Sequence, residues 1–315
     1  MALRAVVVGG CGAVGSAAAT ALALAGVDVA VVSRRARGCR PLRLVAEGLG
    51  GAVVRLCGWD AAPGLVPEVV VYATKAYDLE AAVQASLSAG WSPSLAVSMQ
   101  NGLGSLELLE HAYGPPRAAA ALAFYGALRL PGGCGSRLAG RSRRVVVGCR
   151  RAQSGCSARA RLLAELLAAG GLDAEHVADV EPYRWAKLAV NAAVNPVTVL
   201  AWSRNRVVVE NPWARELASM LAAEVGRVAG AVGVELPGDP VEEALQVAEA
   251  TGDNCSSMLQ DLAAERRTEI DYINGAVWRT GERHGAPAPV NRAVYNAVRL
   301  LEPWLAGRRS PCGAY

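Results

Sequence analysis

Lysine is nearly missing from this chain: of its 32 basic residues only Lys75 and Lys187 are lysines, which leaves thirty arginines. Arginine keeps its charge at every physiological pH, whereas a lysine amine can have its pKa lowered and give up a proton. The two positions that kept lysine are therefore the first candidates for chemistry. Charge in general is sparse. Charged residues make up 19% against 52% hydrophobic, which excludes the disordered, collagen-like and stalk-like classes. The formal net charge is only +4, and the arginines are scattered or in short pairs without interleaved aromatics. The basic patch of a nucleic-acid binder is thus lacking.

No uninterrupted apolar run approaches the roughly 20 residues that a membrane-spanning helix needs. Segment 5–25 superficially looks like a signal peptide, but Gly9, Gly10, Gly12 and Gly15 interrupt it at a spacing that a secretory core does not require. The expectation is a cytoplasmic protein with no membrane partner. No CxxC pair occurs among the eight cysteines, Cys11, Cys39, Cys57, Cys134, Cys149, Cys156, Cys255 and Cys312, so neither a metal site nor a redox motif is indicated. Most are expected to be buried free thiols. The other reading is one or two disulfides, as in intracellular proteins of hyperthermophiles.

What is present is enough chain, 315 residues, for two domains that each bury a core. The first half alternates β-branched runs (4–9, 27–33, 52–56, 69–73, 95–98, 118–124 and 144–147) with Ala/Leu-rich stretches at 14–25, 79–88, 104–112 and 158–169. That is the pattern of a doubly wound α/β domain with a mostly parallel sheet. Beyond Pro182 the strand signal stops, and helical patterns follow at 183–195, 212–232, 240–250, 268–284 and 291–304. The boundary falls near 179–182, dividing a dinucleotide-binding domain, 1–180, from an all-α domain, 181–315.

Gly10-Cys11-Gly12-Ala13-Val14-Gly15 follows the first strand and opens the first helix. In such a motif one glycine makes the tight turn, one lets the backbone approach a pyrophosphate, and one lets helix and strand pack closely. The bland alternative is an ordinary glycine-rich turn, but the strand-turn-helix context favours a dinucleotide. After the second strand, where an acid would hold the ribose of NAD, the chain reads Val32-Ser33-Arg34-Arg35. Two guanidiniums suit a 2′-phosphate, which favours NADP(H) and leaves NADH possible.

Thr74-Lys75-Ala76 and Gln100-Asn101-Gly102 lie at carboxyl ends of strands, where open sheets bind ligands, although Asn-Gly is also a common turn pair. Lys187, Asn191 and Asn195 recur at i+4 on one face of an otherwise apolar helix, a stripe better suited to lining a cleft than to facing solvent. Thr268 reads as the N-cap of the helix at 268–284, with Asp271 in the capping-box position and Glu269 in the first turn. Ser256-Ser257 by itself is an unremarkable polar turn.

Together these stretches resemble the ketopantoate reductase (2-dehydropantoate 2-reductase) family over nearly the whole chain. Most specific are Ser256-Ser257-Met258-Leu259-Gln260-Asp261 and Thr268-Glu269-Ile270-Asp271-Tyr272-Ile273-Asn274-Gly275. The resemblance implies a Rossmann-type domain followed by a helical one, ketopantoate as substrate in the cleft between them, and its reduction to pantoate on the route to pantothenate and coenzyme A. It implies that Lys187 and Glu269 are catalytic and that Asn101, Asn191, Asn195 and Ser257 contact substrate. Arg34 and Lys75, with Asn101 and Glu269, match cofactor-contacting positions, and a homodimer is expected. Hydride transfer to the C2 carbonyl would leave charge on its oxygen, which Lys187 would protonate as general acid. Two rivals remain open: a reductase of another small 2-oxo acid, and a non-catalytic dinucleotide-binding sensor. The sequence departs from the family in the doubled Arg34-Arg35 and in the Arg- and Cys-rich stretch 134–156, which reads as a local decoration.

Overall fold

Four short apolar stretches set the centre of the first half: β1 (Arg4–Val8), β2 (Asp28–Val32), β5 (Val69–Tyr72) and β6 (Leu95–Ser98). Apart from the first residues of β1 and β2 they are buried throughout, and strands buried on both faces read as continuous apolar runs. The computed structural model describes residues 2–131, 133–139, 142–152 and 154–313. These form two compact units, one made of 2–100 and 105–180, the other of 101–104 and 181–313.

In the first unit, α1 (Ala13–Leu24) follows β1, and β3 (Cys39–Glu47) and β4 (Gly50–Cys57) form an antiparallel pair after β2. Beyond β5 come α2 (Ala76–Ser88), β6, α3 (Ser105–Tyr113) and β7 (Ala118–Ala123). A hairpin, β8 (Gly126–Arg129) and β9 (Ser136–Ala139), precedes β10 (Arg144–Gly148), α4 (Ser154–Ala169) and β11 (Asp173–Val177). Among the described residues eleven strands form one sheet in the order β11-β10-β7-β6-β5-β1-β2-β4-β3-β9-β8. Its centre, from β7 through β4, is parallel. From β1 the strand order runs outward through β2 and β4 in one direction and from β5 through β6 and β7 in the other. The switch point therefore lies between β1 and β5, where doubly wound sheets open a ligand crevice at the carboxyl ends of the strands.

The second unit contains, among the described residues, helices only: α5 (Glu181–Ala201), α6 (Val207–Glu210), α7 (Pro212–Ala231), α8 (Pro240–Ala250), α9 (Ser257–Ala263), α10 (Asn274–Arg283) and α11 (Pro289–Leu305). α5 is the central helix, packed by α7, α8, α9 and α11, and its apolar face carries the buried Leu188, Ala189, Ala192 and Val199. No helix among the described residues is long and apolar enough to cross a membrane.

Two expectations are overturned. All eight cysteines are paired, Cys11–Cys134, Cys39–Cys57, Cys149–Cys156 and Cys255–Cys312, and no free thiol is left. Cys39 and Cys57 face each other across the β3–β4 ladder, a partnership that sequence spacing does not encode. The helix expected at Thr268 starts instead at Asn274. Asp271 cannot complete a capping box because its carboxylate accepts from Arg267 Nη2 (2.6 Å) and from the Tyr295 hydroxyl (2.8 Å). The Thr268 amide donates to Glu302 (3.3 Å), and 269–273 is a bend followed by a run of turns. Conversely, the Ser256-Ser257 stretch opens a helix: the Ser256 hydroxyl accepts from the Leu259 amide at 3.2 Å and caps α9.

Candidate functional site

The glycine turn after β1 is tighter than its motif suggests. Gly9, just outside the motif, carries the positive φ of +81°, and its carbonyl accepts from the Gly12 amide at 2.8 Å. A Cβ at Gly9 would come within 2.9 Å of the backbone of Ala73 and Thr74, so the turn lies directly against the end of β5 at the switch point. Gly10 is needed for space instead, since its Cβ would meet the Val31 side chain at 2.8 Å, and a Cβ at Gly15 would meet the Gly9 carbonyl at 2.6 Å. Gly12 differs from these: beyond Gly9 O at 3.1 Å its Cβ would meet only Ala73 O at 3.9 Å, so the glycine keeps open space at the mouth of the turn. Gly12 is also the N-cap of α1, where no side chain caps the helix and no acid stands in the first turn. An open, uncapped helix N-terminus fits a phosphate. Ala13 and Val14 form the first helical residues, and Cys11 is held in its disulfide to Cys134.

Other expected cofactor residues lie on the same carboxyl edge of this unit. Lys75 is the N-cap residue of α2, just past β5. Gln100 follows β6 and closes the edge: its amide nitrogen donates to Tyr72 O (2.9 Å) and Thr74 O (3.2 Å), while its Oε1 accepts from Ser98 (2.9 Å). Arg34 and Arg35 are both exposed just past β2. Arg34 is held by Asp78 on α2 through Nη1–Oδ1 at 3.3 Å and Nη2–Oδ2 at 3.1 Å. Asp78 carries no sequence signal that marks it as a partner of the arginine.

The second unit gathers the remaining residues. Lys187, Asn191 and Asn195 lie along one face of α5, as their spacing predicts. Both Asn191 Nδ2 and Asn195 Nδ2 are buried without a hydrogen-bond partner among the described residues. A buried donor left unpaired costs about 1–3 kcal/mol, so such groups are expected to meet a ligand. Lys187 is largely buried, and that burial lowers its pKa to about 8, against the opposing pull of the Glu269 carboxylate. Glu269 is itself buried, and its Oε2 accepts a long hydrogen bond from Asn101 Nδ2 at 3.4 Å. Asn101 reaches it because Gly102 (φ +82°) lies against the turn at 272: a Cβ there would be 2.1 Å from Tyr272 O, which also accepts from the Leu103 amide at 2.9 Å. The Asn-Gly pair is thus a close backbone approach and more than a turn.

Ser257 is exposed at the first residue of α9. Its neighbour Ser256 is buried, and the Ser256 and Thr198 hydroxyls lie 2.6 Å apart, which ties α9 to α5 one turn beyond Asn195.

α5 is positioned by a network that sequence reasoning missed. Pro196 has no N–H, so the carbonyl of Ala192, four residues earlier, has no donor within the helix. Asn274 Nδ2 supplies one at 2.9 Å and also donates to Asn291 Oδ1 at 2.9 Å. Asn291 Nδ2 donates in turn to Glu224 on α7, whose carboxylate accepts from the amides of Val290 (2.9 Å) and Asn291 (2.8 Å) at the start of α11. The signal that could have exposed this is the proline inside a helical pattern, which demands an outside donor.

Comparison with known proteins identifies the family. Two family profiles match, "Ketopantoate reductase PanE/ApbA" over residues 6–151 and "Ketopantoate reductase PanE/ApbA C terminal" over 179–302. The chain is 41% identical over 293 residues to a 2-dehydropantoate 2-reductase of Pyrobaculum aerophilum, covering 93% of this chain and 96% of that protein. It is 35% identical to the enzyme of the same name from Archaeoglobus fulgidus, over 94% and 97% of the two chains. Among solved structures it is similar to a PanE/ApbA family ketopantoate reductase from Ralstonia eutropha JMP134, with a TM-score of 0.81, 28% identity and coverage of 96% of this chain and 99% of that one.

Proposed function

The chain belongs to the ketopantoate reductase family, and from that premise we propose that it reduces ketopantoate to pantoate with NADPH, Lys187 serving as the proton donor. The relatives' names support the substrate. The observation that carries the chemistry is the face of α5, where a lysine whose pKa burial has lowered to about 8 is followed by two buried, unpartnered asparagine amides.

When bound, the nicotinamide supplies the hydride for the C2 carbonyl carbon. Everything else falls to the protein. Charge develops on the carbonyl oxygen as it is reduced, and the Lys187 ammonium stabilises that charge and gives up a proton from Nζ. A pKa near 8 leaves the amine mostly protonated at neutral pH yet a better acid than an ordinary lysine. Glu269 holds the ammonium form and, through Asn101, ties the lysine to the segment leaving β6. Asn191 and Asn195 offer N–H donors to substrate oxygens, and Ser257 offers a hydroxyl at the start of α9. The dinucleotide is held by Gly10, Cys11, Gly12, Ala13, Val14 and Gly15 along its pyrophosphate and by Lys75, with Arg34 and Arg35 toward a 2′-phosphate. These assignments make 1–180 the cofactor-binding part of the chain and 181–315 the substrate-binding part.

The test is NADPH absorbance followed with ketopantoate and then with other small 2-oxo acids. Ketopantoate is expected to give the highest kcat/KM. A better 2-oxo acid would move the substrate assignment, and NADPH binding with no turnover on any of them would favour a sensor.

A further inference from the structure

One disulfide joins the glycine turn to a part of the chain that the turn's chemistry does not use. Cys11 lies between Gly10 and Gly12, and its partner Cys134 is 123 residues away in the connection between β8 and β9. That hairpin is the far edge of the sheet, with β9 four and β8 five strand positions from β1. At roughly 4.8 Å per position a flat sheet would put β9 about 19 Å from β1. α1 nevertheless contacts β1, β2, β4, β3, β9 and β8, so this side of the sheet curls over the helix and returns the hairpin to the helix N-terminus.

Although it packs on α1, the hairpin is lightly paired within the sheet. Among the described residues its ladder to the rest of the sheet is Ala46–Ser136 and Glu47–Arg137, with an ion pair between Arg137 and Glu47. A two-rung attachment at a sheet edge is the kind of element that opens locally. The bond from Cys11 to Cys134 crosses this weak point and fixes the glycine turn to it.

We propose that Cys134 is a positioning residue of the dinucleotide site, acting through Cys11, and that the β8–β9 hairpin is thereby part of the wall that holds the turn in its cofactor-binding form. This rests on the dinucleotide reading of the glycine turn. Opening the bond leaves the turn in its competent form for only part of the time, and affinity falls by that fraction.

The test is titration of the intact chain with NADPH, in parallel with steady-state kinetics, on oxidised wild type, on Cys134→Ser and on Cys312→Ser, which opens a disulfide of the other unit. Cys134→Ser is expected to raise the Kd and KM for NADPH about fivefold or more while kcat at saturating NADPH stays within about twofold. Cys312→Ser is expected to lower the melting temperature and leave the Kd unchanged. Dithiothreitol, with bond opening followed by mass spectrometry, is expected to raise the Kd of wild type to that of Cys134→Ser and to change the variant no further. This arm stands even where the variant folds poorly. An unchanged Kd in reduced wild type, or an equal rise in Cys312→Ser, would overturn the proposal. No NADPH binding by any form would overturn the dinucleotide reading and the inference with it.

Discussion

The side-chain amide of Asn274 donates at 2.9 Å to the carbonyl of Ala192, the one carbonyl of α5 that Pro196 leaves without a donor in the helix. The helix that carries Lys187, Asn191 and Asn195 is thus kept continuous through a proline by a side chain from α10.

That relationship predicts a specific non-additivity. Asn274→Ala orphans a buried carbonyl and removes the bond to Asn291, and is expected to destabilise the fold by about 2–3 kcal/mol. Pro196→Ala restores an N–H opposite Ala192 O, so in that background the same substitution should cost about 1 kcal/mol less. A denaturation double-mutant cycle measures the difference, and strict additivity would refute the pairing.

The proposed preference for NADPH rests on Arg34, which Asp78 engages at the surface. An exposed pair of this kind is worth at most about 1 kcal/mol and yields to a stronger anion. Arg34→Ala combined with Arg35→Ala should raise the KM for NADPH more than that for NADH. Asp78→Asn, which removes the competing carboxylate, should lower the KM for NADPH by roughly threefold. Equal kcat/KM for the two cofactors in the parent enzyme would contradict the assignment.

The lowered pKa of Lys187 gives opposite pH dependences in the two directions. Reduction needs the protonated amine, so its kcat is expected to fall as pH rises through about 8. Oxidation of the alcohol needs the neutral amine and should rise through the same region. Because the Glu269 carboxylate raises the lysine pKa, Glu269→Gln should move both limbs to lower pH. Limbs that stay in place in this variant would show that another group titrates.

Much of this could be read from the sequence where the signal is local. Continuous valine runs marked β1, β5 and β10, the glycine spacing marked the turn, and the i+4 polar stripe marked the face of α5. Features made by distant partners were not legible. The strand β3 contains Pro41 and exposed arginines, and β11 reads Asp-Ala-Glu-His-Val; both are strands because a neighbour pairs with them. The four disulfides, the Arg34–Asp78 pair and the Asn274–Ala192 bond join residues brought together only by folding. Glu269 was singled out for its place in a motif, but the helix assumed around it is a run of turns, shaped by competition of Arg267 and Tyr295 for Asp271.

The most direct test of the account is single-turnover and steady-state reduction of ketopantoate by Lys187→Arg. Arginine keeps the positive charge, but its guanidinium is too weak an acid to donate and its planar fork does not replace a compact ammonium. Loss of general-acid catalysis is typically worth about 10²–10⁴-fold. The account predicts that kcat falls by roughly 10²-fold or more while the Kd for NADPH, measured by titration, changes little. A kcat within about threefold of the parent enzyme would contradict it, and the proton would then have to come from water or from another residue.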